Sequence, residues 1–131
     1  MKMKIFLASA ALLAFTFSAC KKHDEDKDAP VISITSPASN QMFKAGDTVH
    51  ITGTVTDHSL HEFHGMIHNT DSADKTVWEY MPTVHDLEKF DFDQIWVVPA
   101  VRDTCDMKLH LEVHDHDENQ AEKMVMFRIR P

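Results

Sequence analysis

From Val31 onward the chain alternates apolar and polar residues with a period of two, and it does so in seven separate stretches. In TVHITGTVTD, Val49, Ile51, Gly53 and Val55 point one way while His50, Thr52 and Thr54 point the other. Successive side chains of a strand project to opposite faces, so this spacing predicts half-buried strands. PVISIT sets Val31 apart from Ile32 and Ile34, and TVWEYM sets Val77, Glu79 and Met81 against Trp78 and Tyr80. FHGMIHN places Phe63, Gly65 and Ile67 opposite His64, Met66 and His68. CDMKLHLEVHD places Met107, Leu109, Leu111 and Val113 opposite Lys108, His110, Glu112 and His114. EKMVMFRIR sets Val125, Phe127 and Ile129 against Met124, Met126 and Arg128. KFDFDQIWVV begins with Phe90 and Phe92 against Asp91 and Asp93, then slips phase at Ile95, which predicts a bulge or the strand's exit.

Helical spacing is confined to HDLEKF, where Leu87 and Phe90 are three apart and a short helix is expected. Seven short strands, each with one apolar face, predict an all-β fold: an immunoglobulin-like β-sandwich of about seven antiparallel strands. Its core is expected to contain Val49, Ile51, Val55, Phe63, Ile67, Leu109, Leu111, Val113, Val125, Phe127 and Ile129.

The N-terminus is organised differently. Lys2 and Lys4 precede the apolar run Ile5 to Phe17, which exits through small residues to Cys20. This order predicts a signal peptide over residues 1–19. The run is shorter than the roughly 20 apolar residues of a membrane-spanning helix. The next stretch, KKHDEDKD, has no apolar residue to bury, so 20–28 reads as a charged, solvated tether. The remaining 103 residues, 29–131, suit one domain with a single core. They hold 17 acidic and 8 basic residues, a net charge of −9 with histidines neutral, which disfavours nucleic acid as a partner. If Cys20 is acylated, Cys105 has no partner in the mature chain, which excludes a disulfide-stapled scaffold.

The exit FSAC resembles the lipobox of bacterial lipoproteins, with Phe17 where Leu or Val is usual. The resemblance implies that Cys20 becomes the lipidated first residue, carrying palmitate-type chains and anchoring the protein to a membrane. KKHDEDKD is similar to the export signal of Bacteroidetes surface lipoproteins, which implies an outer-membrane lipoprotein, periplasmic or surface-exposed. The stretch APVISITSPASNQMFKAGDTVHITGTVTD resembles the opening of bacterial Ig-like domains. VHDHDEN resembles their late turn, with Glu118 in place of the usual glycine. The surroundings of MIHN are similar to a histidine-rich family of Bacteroidetes lipoprotein Ig-like domains of unknown function.

HSLHEFHGMIHN, residues 58–69, contains four histidines in twelve residues. With the strands lettered A to G in chain order, FHGMIHN is C, CDMKLHLEVHD is F and EKMVMFRIR is G, and C and G flank F in one sheet of such a sandwich. His64, Met66 and His68 on C then share an outer face with His110, Glu112 and His114 on F. Antiparallel pairing is expected to bring His68 near His110 and His64 near His114. Opposed side chains lie roughly 4.5–5.5 Å apart at Cβ, close enough for two imidazoles to share one ion. Asp57, His58 and His61 before C, and His116 and Asp117 after F, are expected at the rim of the same face. His23, His50 and His85 are expected elsewhere. Imidazole suits zinc and copper, carboxylates such as Glu112 could complete a zinc site, and the thioether of Met66 favours reduced copper.

Calcium fits less well. DHDEN at 115–119 begins like a calcium loop, but Gln120 stands where glycine is needed and Met126 where glutamate is. HEFH is one residue short of the zinc-protease HExxH and lies in a strand, with His61 and His64 expected on opposite faces. Neither a nucleophile elbow nor a phosphate-binding glycine loop occurs, so an enzyme is not expected. Two function classes remain. One is an envelope lipoprotein binding zinc or copper. The other is a structural or adhesive module binding an envelope protein or glycan.

Overall fold

The computed structural model describes residues 27–131. The expected signal peptide, Cys20, His23 and the tether as far as residue 26 lie outside them. Eight strands form among the described residues: β1 (Val31–Ser36), β2 (Met42–Lys44), β3 (Thr48–Thr56), β4 (Leu60–Asn69), β5 (Lys75–Tyr80), β6 (Lys89–Val97), β7 (Cys105–Asp115) and β8 (Gln120–Arg130). They make a three-stranded sheet in the order β1-β3-β6 and a five-stranded sheet in the order β2-β8-β7-β4-β5. The two sheets enclose one core, so the molecule is an Ig-like β-sandwich.

All eleven residues expected in the core are buried except Val125, which is half-buried and packs against it. Ile32, Phe43, Leu60, Val84, Phe92, Trp96, Val98 and Met107 complete it. Phe63 lies within 5.4 Å, centroid to centroid, of both Phe90 and Phe92, tying the two sheets together. Such aromatic pairs add stabilisation beyond the area they bury.

The eighth strand is β2, three residues that pair in parallel with β8 and carry Phe43 into the core. The first strand of the domain is thus divided between sheets: β1 serves one and β2 the other, with Pro37 and the turn residues between them. β5 pairs with β4, so it widens the histidine-bearing sheet rather than the opposite one. Its link from β4 is a turn over residues 70–74, in which Ala73 and Asp74 both have positive φ.

Two sequence expectations fail. HDLEKF forms no helix; His85 and Asp86 make a turn, with Asp86 at φ 63° and Leu87 N–H donating to Val84 O at 3.1 Å. Nor does β6 bulge at Ile95. Its register with β3 is unbroken from Thr56↔Lys89 to Thr48↔Val97. Trp96 continues the inward series of Phe92 and Val98, while Ile95 is 57% exposed. The apparent slip arose because the outer face of β6 carries apolar residues of its own.

Candidate metal centre

The outer face of the five-stranded sheet carries the predicted histidines, in a register two residues away from the expected one. β4 and β7 pair His64↔Glu112, Met66↔His110 and His68↔Lys108. The expected couples His68–His110 and His64–His114 are therefore diagonal, not direct. The rings of His68 and His110 lie 6.1 Å apart at their centroids. A shift of two leaves every side chain on its predicted face, so alternation alone could not detect it.

Most of these histidines have local partners. His64 Nε2 donates to Glu79 Oε1 at 2.6 Å. His68 is buried under the β4–β5 turn, with Nδ1 3.3 Å from the Asp74 carbonyl oxygen and 3.1 Å from Thr76 Oγ1. A carbonyl only accepts, so Nδ1 carries the proton. His114 is half-buried opposite Gln120 and Glu62. His58 is exposed on the bend before β4, and His50 is exposed on the other sheet. Among the described residues, none of His58, His64, His68 and His114 joins a group of three ligand atoms within reach of one ion.

Two such groups exist among the described residues. The first is His61, His85 and His116, whose ligand nitrogens all lie within 4.8 Å of one another. His61 and His116 were expected at this rim, but His85 was not. Backbone bonds explain its arrival. The turn after β5 folds back on the start of β4, with Asp86 N–H donating to Leu60 O at 2.8 Å and Leu60 N–H to Leu87 O at 2.9 Å. His116 N–H donates to Ser59 O at 3.1 Å, bringing in the β7–β8 turn. Between Leu60 and Glu62 the register shifts, so β4 has one extra residue there, and both His61 and Glu62 are exposed. A bulge re-aims side chains in this way. It also means that His61 does not face the core opposite His64, as strict alternation had predicted.

The imidazoles pack ring to ring, with centroids 4.4 Å apart for His85–His116, 4.6 Å for His61–His116 and 5.3 Å for His61–His85. His61 Nδ1 and His85 Nδ1 are 3.2 Å apart. Two nitrogens on one tetrahedral zinc, each at about 2.0–2.1 Å, would stand about 3.3 Å apart. The Asp86 carboxylate lies 3.0 Å from His116 Nε2 and 3.5 Å from His85 Nε2, and Glu62 lies 3.8 Å from His61 Nε2. Carboxylates on the far nitrogens orient imidazole ligands and raise their basicity. A groove of about 250 Å³ opens beside the cluster, lined by His61, Glu62 and Phe63 and by residues 81–85.

The second group is His110, Glu112 and Glu122, in the middle of the sheet face. Only its first two members were candidate ligands in the sequence. Met66 is half-buried beside it, in direct register with His110. Nearby, the hydrogen bond from Lys108 Nζ to Asp74 Oδ2, 2.8 Å, holds the Asp74 carboxyl below the usual carboxylate range. In the turn DHDEN, Asp115 is buried and already engaged. Its Oδ1 accepts from the N–H groups of Asp117 and Asn119, and its Oδ2 accepts from Asn119 Nδ2. That carboxylate closes a turn, with no oxygen turned out toward an ion.

The family model that matches this sequence, over residues 18–129, is described as a domain of unknown function, DUF4625. The chain belongs to that family. No curated protein matches this DUF4625 chain. Among solved structures it is similar to the fibronectin(III)-like modules of Clostridium thermocellum CbhA, at 13% identity and a TM-score of 0.43. That match covers 78% of this chain and 46% of the other.

Proposed function

We propose that this chain is a transition-metal-binding Ig-like module of the cell envelope, held to the outer membrane by lipid on Cys20. The carrying observation is the convergence of His61 from the bulge in β4, His85 from the turn after β5 and His116 from the β7–β8 turn on one point at the end of the sandwich. Three neutral imidazoles with an open fourth position suit zinc or copper. Asp86 is the nearest carboxylate to support or complete the set. The seat is exposed, which fits an ion that is picked up and released rather than locked in place.

Full-length protein purified without a histidine tag should carry zinc or copper by elemental analysis. A His61→Ala, His85→Ala double variant should lose on the order of 100-fold in affinity, since removing even supporting groups of a site costs 10–100-fold. A His50→Ala control should bind as the parent does. Protons compete for the same nitrogens, so binding should weaken on acidification. Equal affinity in the double variant and the control would remove this reading.

A second reading is an adhesive module that docks an envelope protein or glycan without metal. Met124 and Met126, 51% and 40% exposed on the same sheet face, favour it, because flexible apolar side chains suit partner-binding surfaces.

The lipid anchor rests on the lipobox-like FSAC and the acidic and basic run after it, features resembling those of Bacteroidetes lipoproteins. Cys20→Ser should move the protein out of the membrane fraction of cells. Unchanged partitioning of that variant would count against the anchor.

A further inference from the structure

We propose that the middle of the five-stranded sheet holds a second divalent-cation site, formed by His110, Glu112 and Glu122 and separate from the rim. His110 Nε2 lies 3.3 Å from Glu122 Oε2 and 3.5 Å from Glu112 Oε1, and the three ligand atoms fall within 4.8 Å of one another. Glu112 and Glu122 are directly opposed in the β7–β8 register. Like charges in that position repel and destabilise the strand pair. An ion between them reverses the sign of the interaction.

The surrounding cations do not answer this repulsion. Lys108 is bonded to Asp74 at 2.8 Å, Arg128 to Asp106 at 2.8 Å, and Lys123 to the Ile32 carbonyl oxygen at 3.0 Å. Among the described residues, His110 is the only ionic partner of either glutamate. One imidazole stands between two carboxylates, on a chain that is already acidic.

The ligand class differs from that of the rim. Two carboxylates and one imidazole form a harder set than three imidazoles, suited to zinc or manganese with water in the remaining positions. Met66 and Met124 flank His110 in direct register on the neighbouring strands, and thioethers would instead favour reduced copper. His110 is largely covered while Glu122 is 44% exposed, so the site opens toward β8. His61 lies three residues along β4 from His64, the partner of Glu112. That is roughly 10 Å at about 3.3 Å per residue, too far for one ion to serve both groups.

The test is calorimetric titration of the full chain, in detergent and without a histidine tag, with Zn²⁺ and with Mn²⁺. In the His61→Ala, His85→Ala background one equivalent should still bind. Adding Glu122→Gln or Glu112→Gln should weaken that equivalent on the order of 100-fold, since removing even a supporting group costs 10–100-fold. Without metal, Glu122→Gln should hold or raise the thermal midpoint, because it relieves the repulsion with Glu112. The proposal is overturned if the rim variant binds neither ion, or if its binding survives both glutamine changes. A fall in the metal-free midpoint of Glu122→Gln removes its electrostatic premise. Binding of reduced copper alone, abolished by Met66→Leu with Met124→Leu and not by Glu122→Gln, would replace the carboxylate set with a thioether one.

Discussion

Replacing Gly53 by valine should cost about 3 kcal/mol or more, the upper end for overpacking a core, and should leave little folded protein in cells. Gly53 sits in the middle of β3, paired with Ile34 on one side and Phe92 on the other. A Cβ at this position would overlap both the Ser33 carbonyl oxygen and the Phe92 ring. The oxygen belongs to backbone that β1 cannot withdraw without leaving the sheet. The ring is buried against Phe63 and cannot swing aside without opening the core. Valine adds two methyls to that overlap. Gly65 supplies the contrast, because its added Cβ would meet Leu111 Cδ2 and Phe63 Cε1 at 3.3 Å. These are side-chain atoms that can yield by a few tenths of an ångström, and alanine also restricts the unfolded chain. Gly65→Ala should therefore stay within about 1 kcal/mol of the parent. Denaturant unfolding of the two variants checks both. A stable Gly53→Val protein would mean that β1 does not lie where the structure has it.

Gly53 also shows what the sequence could and could not convey. Its place on the inward face of β3 follows from the flanking Ile51 and Val55. Its need to be glycine does not, because that depends on β1 and β6 closing in from either side. Faces were legible throughout β7 and β8, where Leu109, Leu111, Val113, Phe127 and Ile129 are all buried as alternation requires. Register was not legible. The alternation repeats every two residues, so His110 opposite Met66 and His110 opposite His68 satisfy it equally. The choice is made by hydrogen bonds at the strand ends and by the bulge at His61, which has no local signature.

The two clusters were legible to different degrees for the same reason. His61 and His116 border strands whose faces could be read, and loops at one end of a sandwich cluster together. His85 lies in a connection whose path is fixed by Leu60, which bonds both Asp86 and Leu87 through its backbone. One sequence signal was available. VHDL offers Asp at a turn position that favours positive φ, and Asp86 takes φ 63° there. A turn instead of a helix would have returned the chain toward β4. Alternation puts Glu122 on the same face as Met124 and Met126, but its opposition to Glu112 depends on the β7–β8 register.

Asp115→Ala should lower stability by about 3–5 kcal/mol and weaken metal binding at the rim in the same protein. The Asp115 side chain is 3% exposed and is the acceptor around which the β7–β8 turn closes. Its bonds to the Asp117 N–H, the Asn119 N–H and Asn119 Nδ2 are 2.9, 2.7 and 2.7 Å long. Bonds to a charged acceptor contribute about 1.5–3 kcal/mol each, less than additively when they share one group. Alanine leaves those donors without their acceptor and frees Glu118 from a turn that holds it at φ 66°. His116 is the next residue, held to Ser59 through its backbone N–H, so loosening this turn moves one of three imidazoles out of the cluster. Asp115→Asn should fall between alanine and the parent, because its carbonyl oxygen can still accept both backbone N–H groups. Denaturant unfolding and zinc titration of the same samples would show whether the two losses travel together. Full stability in Asp115→Ala would mean that the turn is held by something other than this carboxylate. Lost stability with unchanged rim affinity would mean that His116 is not among the ligands.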